Sequence, residues 1–169
     1  MKRKSLEHLN CGWAQAAEAI GDKWSILIIR DAFVGVRTFS AFAESLTISR
    51  NILTQRLEHL IKHEILMKRP IGVGSARYEY VLTEKGHALF PIIVALYQWS
   101  DEWVFDEGKE PYVMVDKQEH QPISKLKVSA DDGRALTMAD VTIKAGGGAN
   151  ENNRRMAEEI ALKEKLSGD

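Results

Sequence analysis

The sequence predicts a mostly α-helical fold with one β-hairpin, an α+β arrangement, followed by a small β-hairpin appendage towards the C-terminus. Three observations carry this. Apolar residues recur at helical spacing in successive stretches before residue 65. Two β-rich runs, Leu66–Ile71 and Arg77–Leu82, flank a turn at Gly72-Val73-Gly74-Ser75. Asp131-Asp132-Gly133-Arg134 is a second turn signal, between Lys125–Val128 and Val141–Ile143.

Each element has a local reason. Ala14 to Ile20 is a short periodic stretch that Gly21-Asp22 ends. Lys23 to Val34 is apolar on nearly every side, which predicts a buried central helix; for so short a run, a buried strand competes. Gly35 stops it. Thr38 or Ser40 can cap a helix over Phe39–Leu46. Ser49 suits the N-cap of a helix over Arg50–Glu64. There Leu53, Leu57, Leu60 and Ile61 share an inner face, while Arg50, Asn51, Thr54, Gln55, Glu58, His59 and Lys62 fall outside it. Thr83 caps a long helix from Glu84 to about Phe105, which Pro91 should kink or divide. Leu89, Ile92, Ile93, Leu96, Trp99 and Trp103 give that helix a broad apolar face. After Gly108 the texture changes, Gly146-Gly147-Gly148 breaks the chain, and residues 151–166 suit either a polar helix or disorder. The domain reading is therefore 1–108, a β appendage over 109–145, and a flexible or helical tail over 146–169.

The chain of 169 residues fits one domain, or one domain plus an appendage. It has no apolar run long enough to span a membrane, and its basic start lacks the apolar segment of a signal peptide. Both features lead to the expectation of a cytoplasmic protein with no membrane partner. A single cysteine, Cys11, excludes an intrachain disulfide and a cysteine-built zinc site, and no metal or cofactor is expected. The net charge of −1 names no polyanionic partner, but its distribution does. Residues 23–87 hold 10 Lys and Arg against 6 Asp and Glu; residues 100–169 hold 10 against 15. A basic face joined to an acidic appendage suits nucleic acid at the first segment.

The unit from Ser49 to Leu82 sharpens that expectation: a capped helix, then a hairpin with a Gly-rich, basic tip. This is the order of a recognition helix and wing, so the fold expected is a winged helix-turn-helix and the partner expected is double-stranded DNA. The first two turns of the helix present Arg50, Asn51, Thr54 and Gln55, types that suit base edges. Ser49 and the helix N-terminal amides suit a phosphate. Lys68, Arg69 and Arg77 on the wing, with Arg37, Thr38 and Ser40 at the start of the preceding helix, are further DNA-binding candidates. The alternative is a solvated polar face on a winged helix that binds protein.

The stretch from Cys11 to Trp103 resembles the HxlR-type bacterial transcriptional regulators, a MarR-like winged-helix family. The residues that carry the resemblance are Cys11, Ile20-Gly21-Asp22-Lys23-Trp24, Arg37-Thr38-Phe39-Ser40, Ile48-Ser49, Leu53-Thr54-Gln55-Arg56-Leu57, Tyr78-Glu79-Tyr80-Val81-Leu82-Thr83 and Gly86. The resemblance implies a homodimer on a roughly palindromic operator, with Trp13, Leu96, Trp99 and Trp103 at the dimer interface. It also implies that Cys11 is a candidate redox switch, against the plainer reading of a buried structural cysteine. The chain departs from the family pattern in having Cys11-Gly12 where Cys-Pro is common, and Glu64 where a glycine usually ends the recognition helix. Some members carry a zinc-ribbon-like hairpin near the C-terminus. The matching stretch here, Ser129 to Gly133, has no cysteine, so a metal-free relic is expected.

An enzyme is the rival class. The histidines His8, His59, His63, His87 and His120 form no metal motif such as His-Glu-x-x-His, and no nucleophile elbow or P-loop is present. Gly72-x-Gly74 lies in a hairpin and is too short for a dinucleotide site. A small-molecule effector is the more natural extra ligand, for which Trp13, Trp24, Phe33, Tyr97 and Trp99 could line a pocket; the competing reading of those aromatics is plain core.

Overall fold

A computed structural model of the protein describes residues 5–72 and 77–167. The expected turn at Gly72–Ser75 falls, apart from Gly72, outside the described residues. The chain forms two compact units, residues 17–126 and residues 1–16 together with 127–169.

Local caps set the helices of the first unit. α1 (Gly12–Ile20) ends just before Asp22, whose carboxylate accepts the amides of Trp24 at 3.0 Å and Ser25 at 3.3 Å and so starts α2 (Lys23–Phe33). Thr38, not Ser40, caps α3 (Phe39–Leu46): its hydroxyl accepts the amide of Ala41 at 3.3 Å. Thr47 takes a left-handed conformation and turns the chain into Ser49. The hydroxyl of Ser49 accepts the amide of Ile52 at 3.4 Å at the start of α4 (Arg50–Lys62). That helix ends two residues earlier than expected, with Glu64 at a φ of +58° in the position where a glycine would be relaxed.

The wing follows. β1 (Leu66–Pro70) pairs antiparallel with β2 (Tyr78–Leu82), with Leu66 opposite Leu82 and Arg69 opposite Glu79. Thr83 then caps α5 (Glu84–His87) and also donates its hydroxyl back to the carbonyls of Glu64 and Ile65. One side chain thus joins the end of α4, the wing and the next helix. Pro91 sits in the first turn of α6 (Phe90–Trp103), so it starts a second segment rather than kinking one long helix. The first turn is where a missing amide costs least.

α2 is the buried centre. Ile28 and Ile29 are fully enclosed, and the helix packs against α3, α4, β2 and α6. The strand alternative for this segment is therefore excluded. Phe42, Leu46, Ile48, Leu53, Leu57, Leu60, Ile65 and Leu66 complete the core, with Ile61 packed at its margin. Each fully buried leucine contributes on the order of 1.5–3 kcal/mol. The ring of Phe42 meets Tyr80 edge-on at 6.4 Å and carries the core out to the wing. Residues 109–126 return to α6. The hydroxyl of Tyr97 donates to the carbonyl of Tyr112, Gln98 Nε2 to the carbonyl of Ser124 at 3.0 Å, and Lys125 pairs with Glu102 at 2.8 Å.

The second unit is less regular. Among the described residues its β structure is one bridge, Ser129 with Ala135; the first unit has a bridge of its own at Val115 with Pro122. The expected pairing of 125–128 with 141–143 does not form. Val128, Val141 and Ile143 are exposed, so no buried face supports a ladder between them. The tail is helical: α7 spans Glu151–Ser167. Asn150 starts it, accepting the amide of Asn153 at 3.0 Å while Asn153 accepts the amide of Asn150 at 3.2 Å. Asn153 also exchanges hydrogen bonds with Asn10, at 2.8 and 2.9 Å, which ties the N-terminal segment to the start of α7. Among the described residues no helix is long and apolar enough to cross a membrane.

Candidate nucleic-acid interface

The capped start of α4 places its polar residues outside the core. Leu53, Leu57 and Leu60 point inward and are buried, which leaves Arg50, Asn51, Thr54 and Gln55 exposed. These four are not loose. Gln55 Nε2 donates to Asn51 Oδ1 at 3.3 Å, and the hydroxyl of Thr54 donates to the carbonyl of Arg50 at 2.9 Å. The guanidinium of Arg50 lies over the ring of Phe39, 5.7 Å from its centre. That contact leans Arg50 towards the start of α3, where Ser40 is exposed and the hydroxyls of Thr38 and Ser40 lie 3.3 Å apart. The hydroxyls of Thr38 and Ser49 each serve first as helix caps.

The back of α4 is anchored by a residue that the sequence placed on its outer side. His59 is half-buried, with Nε2 at 3.0 and 3.1 Å from the carbonyls of Glu18 and Ala19 at the end of α1. Arg56 lies 3.5 Å from Asp22 and ties α4 to the start of α2. Such contacts hold the helix at a set angle, as reading base edges requires.

On the wing, successive side chains alternate between faces. Arg69 lies opposite Glu79, whereas Lys68 faces the other way and covers the ring of Tyr78 at 4.4 Å. Glu79 collects two of the expected phosphate-binding cations. Its Oε1 accepts from Arg69 at 2.7 and 2.8 Å, and its Oε2 lies 3.6 Å from Arg37. The carbonyl of Arg37 also accepts the amide of Tyr80 at 2.7 Å. The Arg69 guanidinium, with Arg37 in support, holds the carboxyl of Glu79 below the usual carboxylate range. Arg77 is exposed at the foot of β2. The structure therefore gathers Arg37 and Arg69, and sets Lys68 apart from them. In the sequence Glu79 stands only as part of the motif from Tyr78 to Thr83; the signal of its role there is a carboxylate in a basic hairpin.

The remaining candidates occupy separate settings. Cys11 is exposed, against the buried-cysteine reading. Trp13 on α1 is 78% exposed, and on α6 Leu96, Trp99 and Trp103 are 44%, 59% and 71% exposed. Trp24 packs on the core, and Phe33 meets Phe90 and His87. Among the described residues, no ring contact joins two of the five aromatics named as candidates for a pocket lining or plain core. The same residues include no group of three or more His, Cys, Asp or Glu side chains placed to hold a metal.

Residues 19–107 match the family model described as HxlR-like helix-turn-helix. The chain belongs to this family. The relatives it matches are named HTH-type transcriptional regulators, and the winged helix seen here is the helix-turn-helix region. A relative in Mycobacterium tuberculosis, an uncharacterised HTH-type transcriptional regulator, is 42% identical over 90 residues, which is 53% of this chain and 57% of the relative. The HxlR-like chain thus matches rather more than half the length of that curated relative. The crystal structure of PA1607, a transcription-factor candidate, superposes with a TM-score of 0.80 at 38% identity, over 85% of this chain and all of that one. The redox regulator HypR in its reduced form gives a TM-score of 0.50 at 25% identity, over 54% of this chain and 92% of HypR.

Proposed function

We propose that the protein is a sequence-specific regulator that acts as a homodimer on a roughly palindromic duplex. In this reading α4 enters the major groove, and the wing, residues 66–82, lies on the adjacent backbone or minor groove. The observation that carries it is the exposed row Arg50, Asn51, Thr54 and Gln55 at the start of a helix whose other side is locked into the core. Arg suits guanine, Asn and Gln suit adenine, and Thr suits either a base or a phosphate. Ser49, Thr38, Ser40, Arg37, Arg69, Lys68 and Arg77 then position the backbone without touching base edges.

Selection of bound duplexes from a random pool tests this directly, because it yields the operator and its half-site spacing together. Binding should weaken steeply with salt through counterion release. Arg50→Ala should relax base preference, whereas Arg77→Ala should lower affinity for every sequence. A protein with no salt-dependent affinity for any duplex would instead be a protein-interaction module.

The dimer reading rests on the stripe Ile92, Leu96, Trp99 and Trp103. Their spacing puts them on one side of α6, and all are exposed. Leu96→Asp should yield monomers in sedimentation equilibrium and abolish operator binding. The switch reading rests on the exposure of Cys11, since a reactive thiol needs access. HypR is named a redox regulator. Diamide or a quinone should change operator affinity in the native protein and not in Cys11→Ser. An aromatic effector would show as a ligand-dependent rise in melting temperature. The turn at residues 129–133 is closed by the amide of Ala130, which donates to the carbonyl of Arg134 at 2.8 Å, and by that of Gly133, which donates to the carbonyl of Ala130 at 2.9 Å; the carboxylate of Asp132 accepts the amide of Arg134 at 3.0 Å. With serine and aspartate in place of thiolates it does not fit zinc, and stoichiometric zinc on elemental analysis would overturn the relic reading.

A further inference from the structure

The cluster at the base of the wing places one carboxylate between two exposed cations. The side chain of Glu79 is 18% exposed, whereas those of Arg69 and Arg37 are 53% and 54% exposed. Both oxygens of Glu79 face guanidinium groups, and an arginine has five N–H donors. Arg69 commits two of them to Glu79, and among the described residues no other acceptor takes the remaining three, which suit an anion. The backbone bond from Tyr80 to Arg37 draws the start of α3 to the same place. Neither arginine is therefore a free-swinging surface cation. They belong to one unit that joins the helix-turn-helix to the wing, with a net charge of +1 where two unpaired arginines would carry +2.

We infer that Glu79 is a specificity-determining positioning residue: it holds Arg37 and Arg69 at one spacing and lowers their joint charge, so that the wing grips phosphates only where the groove geometry matches. The inference rests on the DNA-binding reading above. Two unpaired arginines would attract any duplex, since the phosphate term is blind to sequence. Two arginines fixed on a shared carboxylate have lost much of their rotamer freedom before binding. They favour a duplex whose phosphates already fit. Specificity is a difference between affinities, and weakening attraction to the wrong duplex raises it as surely as strengthening attraction to the right one.

The test is Glu79→Gln, which keeps the shape and one acceptor oxygen but removes the charge. Affinity is measured for a labelled random-sequence duplex and for the best duplex from the selection, across a series of salt concentrations. One more uncompensated cation should steepen the slope of log affinity against log salt by about 0.9, which is roughly a 3.5-fold greater loss over a fourfold rise in salt. Random-duplex affinity at low salt should rise, and the ratio of specific to random binding should fall. The double variant Arg69→Gln with Glu79→Gln restores the charge of +1. It should recover the native slope but not the native ratio, and it separates charge from folding if the single variant is unstable. Glu79→Asp keeps the charge and should keep the native slope. A native slope in Glu79→Gln, or a slope in the double variant as steep as in the single, overturns the inference. A native protein with no salt-dependent duplex binding overturns the DNA-binding reading first and this inference with it.

Discussion

Replacing Gly86 by alanine sets two effects of opposite sign against each other. Gly86 lies in α5 with no left-handed φ, so alanine fits the backbone there. By helix propensity alone the change should stabilise by about 1 kcal/mol. The surroundings say otherwise. A Cβ at this position would lie 2.3 Å from the carbonyl oxygen of Ile65 and 3.0 Å from Cδ2 of Leu82. An ordinary contact is about 3.5 Å, so the first overlap is roughly 1 Å. The carbonyl cannot easily retreat. It accepts the amide of Thr83 at 3.1 Å and the hydroxyl of Thr83 at 3.3 Å, and the amide of Ile65 is itself held by Leu60 at 2.9 Å. Overpacking of this kind costs about 1–3 kcal/mol. Taking the upper end because the obstacle is backbone, and subtracting about 1 kcal/mol for propensity, leaves a net loss of about 2 kcal/mol. At about 2–4 °C per kcal/mol for a chain of this size, the melting temperature should fall by about 4–8 °C. Far-UV circular dichroism on heating measures it, with Gly12→Ala as control, since nothing lies within 4 Å of a Cβ there. Because the joint at Thr83 sets the wing against α4, duplex affinity should fall further than for a remote variant of equal stability. A melting temperature equal to or above that of the native protein would show that the joint yields and that propensity decides.

The remaining expectations concern single groups. Glu64→Gly removes a side chain from a left-handed position and should stabilise by about 0.5–1 kcal/mol, seen as a higher urea midpoint at constant slope. Its ion pair with Lys85, 3.6 Å long between exposed groups, offsets little of this. Ser49→Ala loses the cap of α4 and should cost up to about 1 kcal/mol, towards the low end because the 3.4 Å bond is long. Chemical denaturation would show it, and an unchanged midpoint would mean that the hydroxyl does not cap in solution. For Glu79 the sign follows from its lowered pKa. The charged form is favoured in the folded state, so its contribution is complete above the ordinary value of 4.5 and is lost as pH falls through the lower folded value. The difference in melting temperature between the native protein and Glu79→Gln should be level near neutrality and shrink only under acid conditions. A difference that shrinks above pH 5 would mean that the arginines do not hold the carboxylate.

The sequence by itself determined the elements and their order, because what starts and stops them acts over about four residues. Thr38, Ser49 and Thr83 cap the helices that follow them, Pro91 opens a helix at the position where it is tolerated, and the leucines of α4 turn their common face to the core. The polar start of α4 was legible for the same reason, since a buried face defines an exposed one. What only the tertiary structure decided is what depends on distant partners. His59 reads as an outer polar residue until the end of α1 offers it two carbonyls. The C-terminal apolar runs read as a hairpin until it is seen that they stay exposed, and the tail becomes a helix with Asn10 beside its cap. Above all, Arg37 and Arg69 read as separate phosphate contacts. Strand register sets Glu79 opposite Arg69, and the bond from Tyr80 brings Arg37 to the same carboxylate. Charge type is written residue by residue, but the pairing of charges is set by which backbone segments lie side by side.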